Sequence, residues 1–326
     1  RFSIGTSRTD SRSAVELPTV VVLQTGTTGG AQQAGGSRTR NLLLASDLDY
    51  IRGRHSVRIG VQVDGQGYRT DQRSNYLGTY TFVSPEAFTA GTPRSFTQRV
   101  GDPTIKYWNF QAGAYVQDDI KVRKNLTLTP GVRYELQTHV GDRTNVGPRF
   151  GITWAPFKSG RTTLRGSAGI FYDWLGTGTY EQTLRIDGFH QQELNIINPS
   201  YPDPGIDLST AQFPPTNRYL LGSDVRLART TRYSAGINQT IKKLNLGLTY
   251  SDNRGTGLLV GQNLNAPVDG VRPDSAFANV IATVSDGRSR QRSASFNSGV
   301  NLSKGPAGPA AGPGRVFDWR RNLYVS

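Results

Sequence analysis

Between Lys106 and Asp173 large apolar and polar side chains alternate in stretches of about ten residues. Each stretch ends in a tight turn on one side and a longer loop on the other. In Leu126-Thr127-Leu128-Thr129-Pro130-Gly131-Val132-Arg133-Tyr134-Glu135-Leu136-Gln137 every even position except Pro130 is a large aliphatic or aromatic, and every odd one is polar, charged or glycine. Successive side chains on a strand point to opposite faces, so such a strand has one oily face and one wet face. Leu164, Ala168, Ile170 and Tyr172 alternate in the same way with Arg165, Ser167, Phe171 and Asp173, and Phe171 is the misfit on the wet side. An arginine opposite the oily face has to look into water. The pattern predicts a membrane-spanning antiparallel β-barrel wall.

Alternation predicts about eleven strands. The clear ones are 57–68, 108–120, 126–137, 150–154, 163–173, 232–241, 244–251, 294–302 and 316–325, preceded by weaker ones at 15–23 and 42–50. Short turns at 51–54, 123–125, 156–160 and 242–243 alternate with long links at 70–106, 139–147, 174–229 and 255–287. All turns therefore fall on one side and all loops on the other, the arrangement of short periplasmic turns and long extracellular loops in outer-membrane barrels. Trp108, Tyr172, Trp174, Tyr233 and Tyr250 are expected at the loop-side interface, and Tyr50, Trp154 and Phe157 at the turn side, as two aromatic girdles. Within the first long link, Ser84-Pro85 predicts a capped helical turn. The Pro- and Gly-rich stretch 304–314 predicts a flexible link, and 198–217 an irregular functional loop.

An apolar content of 35% with 38 Gly is low for a packed core but suits a wall with one oily face. No apolar run approaches the ~18 residues that a transmembrane helix needs, whereas a barrel strand needs only ~9–11. The absence of cysteine removes disulfides and thiolate chemistry. The chain starts at Arg1 with no basic-then-apolar leader, so a processed or partial chain is expected, with neither signal peptide nor plug. The formal charge of +14 comes mainly from arginines that look scattered singly along the chain. Nucleic-acid binding is therefore not expected, since it calls for a basic stripe. Lumen lining and loop ion pairs account for the arginines first. Attraction to the phosphates of outer-leaflet lipopolysaccharide is the second reading.

No catalytic or metal-binding constellation is expected, and no cofactor. His55, His139 and His190 lie far apart and read as surface or loop residues, while Asp118 and Asp119 should point to opposite faces. The inward charged set is Arg58, Asp64, Arg133, Glu135, Arg149 and Arg165. It could contact a solute or a plug, but a cross-strand ion ladder that stiffens the wall is the simpler reading.

Several strands carry phrases that resemble TonB-dependent outer-membrane receptors, the Oar-like group in particular. They are Ala114-Tyr115-Val116-Gln117-Asp118-Asp119, Asn125-Leu126-Thr127-Leu128, Gly131-Val132-Arg133-Tyr134-Glu135, Pro148-Arg149-Phe150-Gly151, Leu164-Arg165-Gly166, Gly169-Ile170-Phe171-Tyr172-Asp173 and Asn263-Leu264-Asn265-Ala266-Pro267. The resemblance implies a 22-strand barrel, filled by a plug and opened by a TonB-type energy-transducing partner, that imports a bulky solute. This chain would be one portion of that barrel. A structural or adhesive surface protein anchored by its barrel is the alternative from another class, and a soluble β-sandwich or repeat-type binding module is the third.

Overall fold

The computed structural model describes residues 2–13, 20–23, 26–28, 35–71, 73–206 and 215–300. In chain order the elements are β1 (Phe2–Ser13), β2 (Val20–Leu23), β3 (Gly26–Thr28), β4 (Gly35–Arg52), β5 (His55–Thr70), β6 (Thr79–Thr81), α1 (Pro85–Thr89), β7 (Ser95–Gly101) and β8 (Ile105–Arg123). They continue with β9 (Leu126–Gln137), β10 (Val146–Trp154), β11 (Thr162–Asp173), α2 (Thr177–Arg185), β12 (Gln191–Ile197), β13 (Thr216–Leu221), β14 (Ala228–Ile241), β15 (Leu244–Asn263) and β16 (Phe277–Val300). Eleven of the strands join in one sheet, in the order β1-β4-β5-β8-β9-β10-β11-β14-β15-β16-β13. Five short ones form a second sheet, β12-β7-β6-β2-β3.

The large sheet is a meander in which each long strand pairs antiparallel with its neighbour. Register carries the oily face across it without a break. Leu44 lies opposite Val63, Ile59 opposite Val116, Val132 opposite Pro148, Ile152 opposite Leu128, Leu164 opposite Ile237, and Leu248 opposite Phe296. This face is exposed: Leu48 is 64%, Ile59 49%, Leu248 51% and Phe296 67% accessible. Apolar surface on that scale, spread over a whole sheet face, is stable against lipid and not against water. The sheet is an open wall among the described residues, with β1 at one edge and, at the other, β16 flanked over part of its length by the short β13.

Tight turns at 53–54, 124–125, 155–161 and 242–243 close one side, with Gly53 (φ +59°) and Lys242 (φ +54°) in the left-handed region. Buried apolar residues sit instead on the loop side. Tyr80, Phe82 and Phe96 make one cluster in the small sheet, with Tyr201 and Phe88 edge-on to Phe82. Val140, Leu175 and Leu227 make a second, with Tyr172, Trp174, Tyr180 and Leu259 packed around them. α1 has the expected cap: the Ser84 hydroxyl accepts from Ala87 N–H.

Several expectations change. Of the weak strand expected at 15–23, the described part is Val20–Leu23, and it belongs to the small sheet, not to the wall; β1 is the wall strand that precedes it. Its outward positions run Phe2, Ile4, Thr6, Arg8, Asp10 and Arg12, so the oily pattern fades after two residues. The link at 255–287 is mostly strand, because β15 runs to Asn263 and β16 resumes at Phe277. Not all pairing is antiparallel: β13 lies parallel to β16, and β2 parallel to β6. Trp174 and Tyr172 pack on the second loop cluster, whereas Trp108, Tyr233 and Tyr250 are exposed on the oily face. The arginines are not scattered singly, since register gathers many of them across strands. The expected strand at 316–325 and link at 304–314 lie outside the described residues.

Candidate functional site: the wet face and its loop-side end

All six charged candidates fall on the wet face, and three of them meet. Arg133 Nε donates to Glu135 Oε1 at 2.5 Å, and both side chains are nearly buried. Arg149, from β10, and Arg232, from β14, each bring the guanidinium carbon over the Phe171 ring of β11 between them, at 4.4 and 4.7 Å. The misfit aromatic on the wet side is thus the platform for two cations, a contact worth about 0.5–2 kcal/mol each. Arg133 also lies over the Tyr115 ring, at 5.9 Å. Glycines make room: a Cβ on Gly113 would stand 2.5 Å from the Arg133 guanidinium, and one on Gly169 would stand 3.1 Å from Phe171 and 3.2 Å from Arg149. Glu135 Oε2 and Arg232 Nε are buried without a hydrogen-bond partner among the described residues.

The other three candidates stay apart from this belt. Arg58 donates to both oxygens of Asp49, its direct neighbour across β4–β5, at 2.5 and 3.1 Å. That is the expected cross-strand ion pair. Asp64 instead accepts from Gln62 on its own strand, and Arg165 is exposed on the wet face. Asp118 and Asp119 do diverge, the first to His55 Nδ1 and Ser56 N–H and the second to the Thr129 hydroxyl. Two of the exposed histidines have carboxylate neighbours: His55 with Asp118 at 2.5 Å, and His190 with Asp187 at 2.6 Å. The first pair meets only through strand register. The second spans three residues of a turn and was open to detection by spacing. Among the described residues no three His, Asp or Glu side chains converge as metal ligands do.

Sequence patterning missed how the link after β11 turns back over the wet face. Buried Gln137 holds Leu175 at two points, with Oε1 accepting from its N–H at 2.8 Å and Nε2 donating to its C=O at 2.9 Å. The Tyr107 hydroxyl donates to Thr177 C=O, and Arg185 donates to the Thr70 hydroxyl. Tyr180 stacks on His139 at 3.8 Å and stands edge-on to Tyr107. Thr70, Tyr107 and Gln137 are all wet-face residues at the loop-side ends of their strands, so 175–185 lines the inner side of the wall there. Beyond it, a cleft of about 260 Å³ opens between Arg99, Gln191, Glu193, Asn217 and Tyr219. Arg218 beside it repeats the cation-on-aromatic arrangement, 5.4 Å from both Phe189 and Phe277.

A family model described as "Outer membrane beta barrel domain" matches residues 2–145 and 140–305. No curated protein sequence matches the chain. Among solved structures, the outer membrane transporter YddB from Escherichia coli superimposes with a TM-score of 0.63 at 14% identity, over 91% of this chain and 36% of that one. A point mutant of the ferric enterobactin receptor PfeA from Pseudomonas aeruginosa gives 0.54 at 12% identity, over 93% and 39%. The FrpB iron transporter from Neisseria meningitidis gives 0.51 at 13%, over 85% and 34%. These likenesses show the fold, and the chain spans between a third and two-fifths of the length of those structures.

Proposed function

The chain belongs to the outer membrane β-barrel domain family, and from that premise we propose that it forms part of the wall of a TonB-dependent receptor that imports a bulky solute. It is an outer-membrane protein. The role proposed is passage and recognition, not catalysis. The plug and the segment that engages a TonB-type energy-transducing protein would be supplied outside these 326 residues.

The wet-face belt carries this reading. A wall that served only as an anchor would need no cations seated on an inward aromatic, nor a segment clasped over its inner side. Arg149 and Arg232 on Phe171 present donors to the interior, and the nearly buried Arg133–Glu135 pair fixes the neighbouring strand face. Such a belt favours a solute with anionic groups and flat surface. Two of the similar structures carry iron or ferric enterobactin in their names, which agrees with a bulky cargo.

The test is made in the bacterium that encodes the protein. Removing the gene should leave one class of anionic solute unconsumed in the medium, as read by mass spectrometry, and an uncoupler of the proton gradient should do the same to wild-type cells. Replacing Arg149 and Arg232 together with Gln should slow uptake about tenfold, the worth of one charge-assisted hydrogen bond, at unchanged surface level. Unchanged uptake with lost attachment between cells would favour the adhesive alternative.

A further inference from the structure

The outward face changes character in one step toward the loops, and it does so at both ends of the sheet. On β16 the outward series runs Phe296, Ala294, Arg292, Arg290, Arg288, and on β15 it runs Leu248, Tyr250, Asp252, Arg254. Asp252 lies directly opposite Arg292, and Arg254 opposite Arg290. The Asp252 carboxylate gathers the three cations, with Arg290 at 2.8 Å, Arg254 at 3.2 Å and Arg292 at 3.5 Å. The arginines stay open to the outside, with side chains 46–55% exposed, while Asp252 is only 10% exposed. Arg254 also leans on the Tyr233 ring at 5.8 Å, at the line where exposed aromatics end the oily band.

The far end of the sheet repeats the arrangement with other residues. On β1 the outward series Phe2, Ile4, Thr6 gives way to Arg8 and Asp10, and on β4 Leu44 and Leu42 give way to Arg40 and Arg38. Asp10 holds Arg38 at 2.6 Å and Arg8 at 2.7 Å. Arg69 and Lys106 extend the row across β5 and β8. Two unrelated strand groups therefore place one carboxylate inside a cluster of outward arginines, immediately loop-side of the lipid-facing band.

We propose that these two clusters are binding sites for the phosphate groups of a phosphorylated glycolipid in the outer leaflet. Arginines this close repel one another unless a counter-charge holds them, and a single carboxylate satisfies only part of their donors. Forked guanidinium donors match phosphate oxygens in pairs. A headgroup whose acyl chains lie along the apolar strands presents its phosphates at this height, so the same molecule satisfies both bands. The central aspartate keeps the arginines ordered and aimed before the lipid arrives. This reading needs only the orientation of the wall and does not rest on transport.

The experiment isolates the protein from outer membranes in mild detergent and counts retained lipid by native mass spectrometry. Lipid A, the same lipid after enzymatic removal of its phosphates, and inorganic phosphate are then added back separately. Wild-type protein should retain lipid A and lose it at least about tenfold more readily once dephosphorylated, since each basic group near an anionic surface contributes about 1 kcal/mol. R254Q/R290Q/R292Q should lose one site and R8Q/R38Q/R40Q the other, while Arg165→Gln, on the wet face, should change nothing. Equal retention of the dephosphorylated lipid, or displacement by millimolar inorganic phosphate, would overturn the proposal. So would an acidic protein found on the clusters in place of lipid. Should a triple variant fail to fold, the wild-type dephosphorylation arm and the single R292Q variant decide the matter.

Discussion

The Tyr115 ring lies flat across Gly60 on the neighbouring strand, so close that a Cβ there would overlap the ring edge, and the phenol reaches on to Asp47 Oδ1 at 2.6 Å. Glycine and aromatic form one unit of the wet face, in which the missing side chain of one strand makes room for the ring of the next. The oily face repeats the device, with Phe110 over Gly65 and Trp108 over Gly67. Gly60→Ala should displace Tyr115, break its bond to Asp47 and destabilise the wall by about 1–3 kcal/mol. Gly5→Ala, which would meet only Leu43 Cβ at 3.8 Å, should be near neutral. Urea titrations of the two variants in lipid vesicles make the comparison.

Lipid should distinguish neighbours on one strand. Ala168 lies between Phe150 and Tyr233 on the oily face, whereas the Ser167 hydroxyl meets that of Ser234 on the wet one at 2.7 Å. Ala168→Arg should cost roughly 2–4 kcal/mol near the midplane, and Ser167→Arg about 1 kcal/mol for its lost hydrogen bond. Equal costs in the same folding titration would refute the assignment of faces.

Gln137 is the clasp of the inward segment. Gln137→Leu should leave the N–H and C=O of Leu175 unpaired, at about 1–3 kcal/mol for each group. The result should be release of 174–185, read as faster cleavage at Arg185 by trypsin with the wall strands still protected. Cleavage no faster than in wild type would mean that Tyr107 and Tyr180 hold the segment without it.

How much of this could be read beforehand depended on where the relevant neighbour lies. Strand β9 has the ends that alternation marks, because each of its residues reports its own face. β1 escaped detection because only Phe2 and Ile4 carry the oily signal before arginines take over the outward positions. Arg149 and Phe171 are visible one by one, but their meeting depends on β10 and β11 pairing Arg149 with Gly169, and register is not written within either strand. The arginine clusters around Asp10 and Asp252 were hidden for the same reason. So was the Gln137 clasp, since nothing in a polar residue at a strand end names its partner 38 residues away.

Tyr80 gives the loop side a pH limit. Only 1% exposed, it has its phenol pushed up to about 12 by burial, and it donates to the carbonyls of Pro202 and Ser200 at 3.0 and 3.3 Å. A raised pKa means that the folded state holds the proton more tightly than the unfolded state. Its contribution is therefore complete below pH ~10 and is lost as pH rises toward ~12. Tyrosinate absorbance should include a late-titrating phenol that Tyr80→Phe removes. A full set of tyrosines titrating together near pH 10 would contradict the buried site.

A chain without cysteine makes topology simple to test. Ser223→Cys, exposed on the loop side, should react with an impermeant maleimide added to intact cells, and Lys242→Cys in the turn between β14 and β15 should not. The reverse result would invert the wall in the membrane.

The parallel strand β13 has a consequence for assembly. It occupies the outer flank of β16 from Phe277 to Thr283, so that stretch is closed to any further strand, while 284–300 keep one flank open among the described residues. A neighbour in the circumference can therefore zip onto β16 only up to Val284. The seam there has to stop about 20 Å short of the tip, at roughly 3.3 Å per residue. The loop-side lip of the wall is stepped at this edge, and β13 is the doorstop that keeps a further strand from running the full length of its tallest blade.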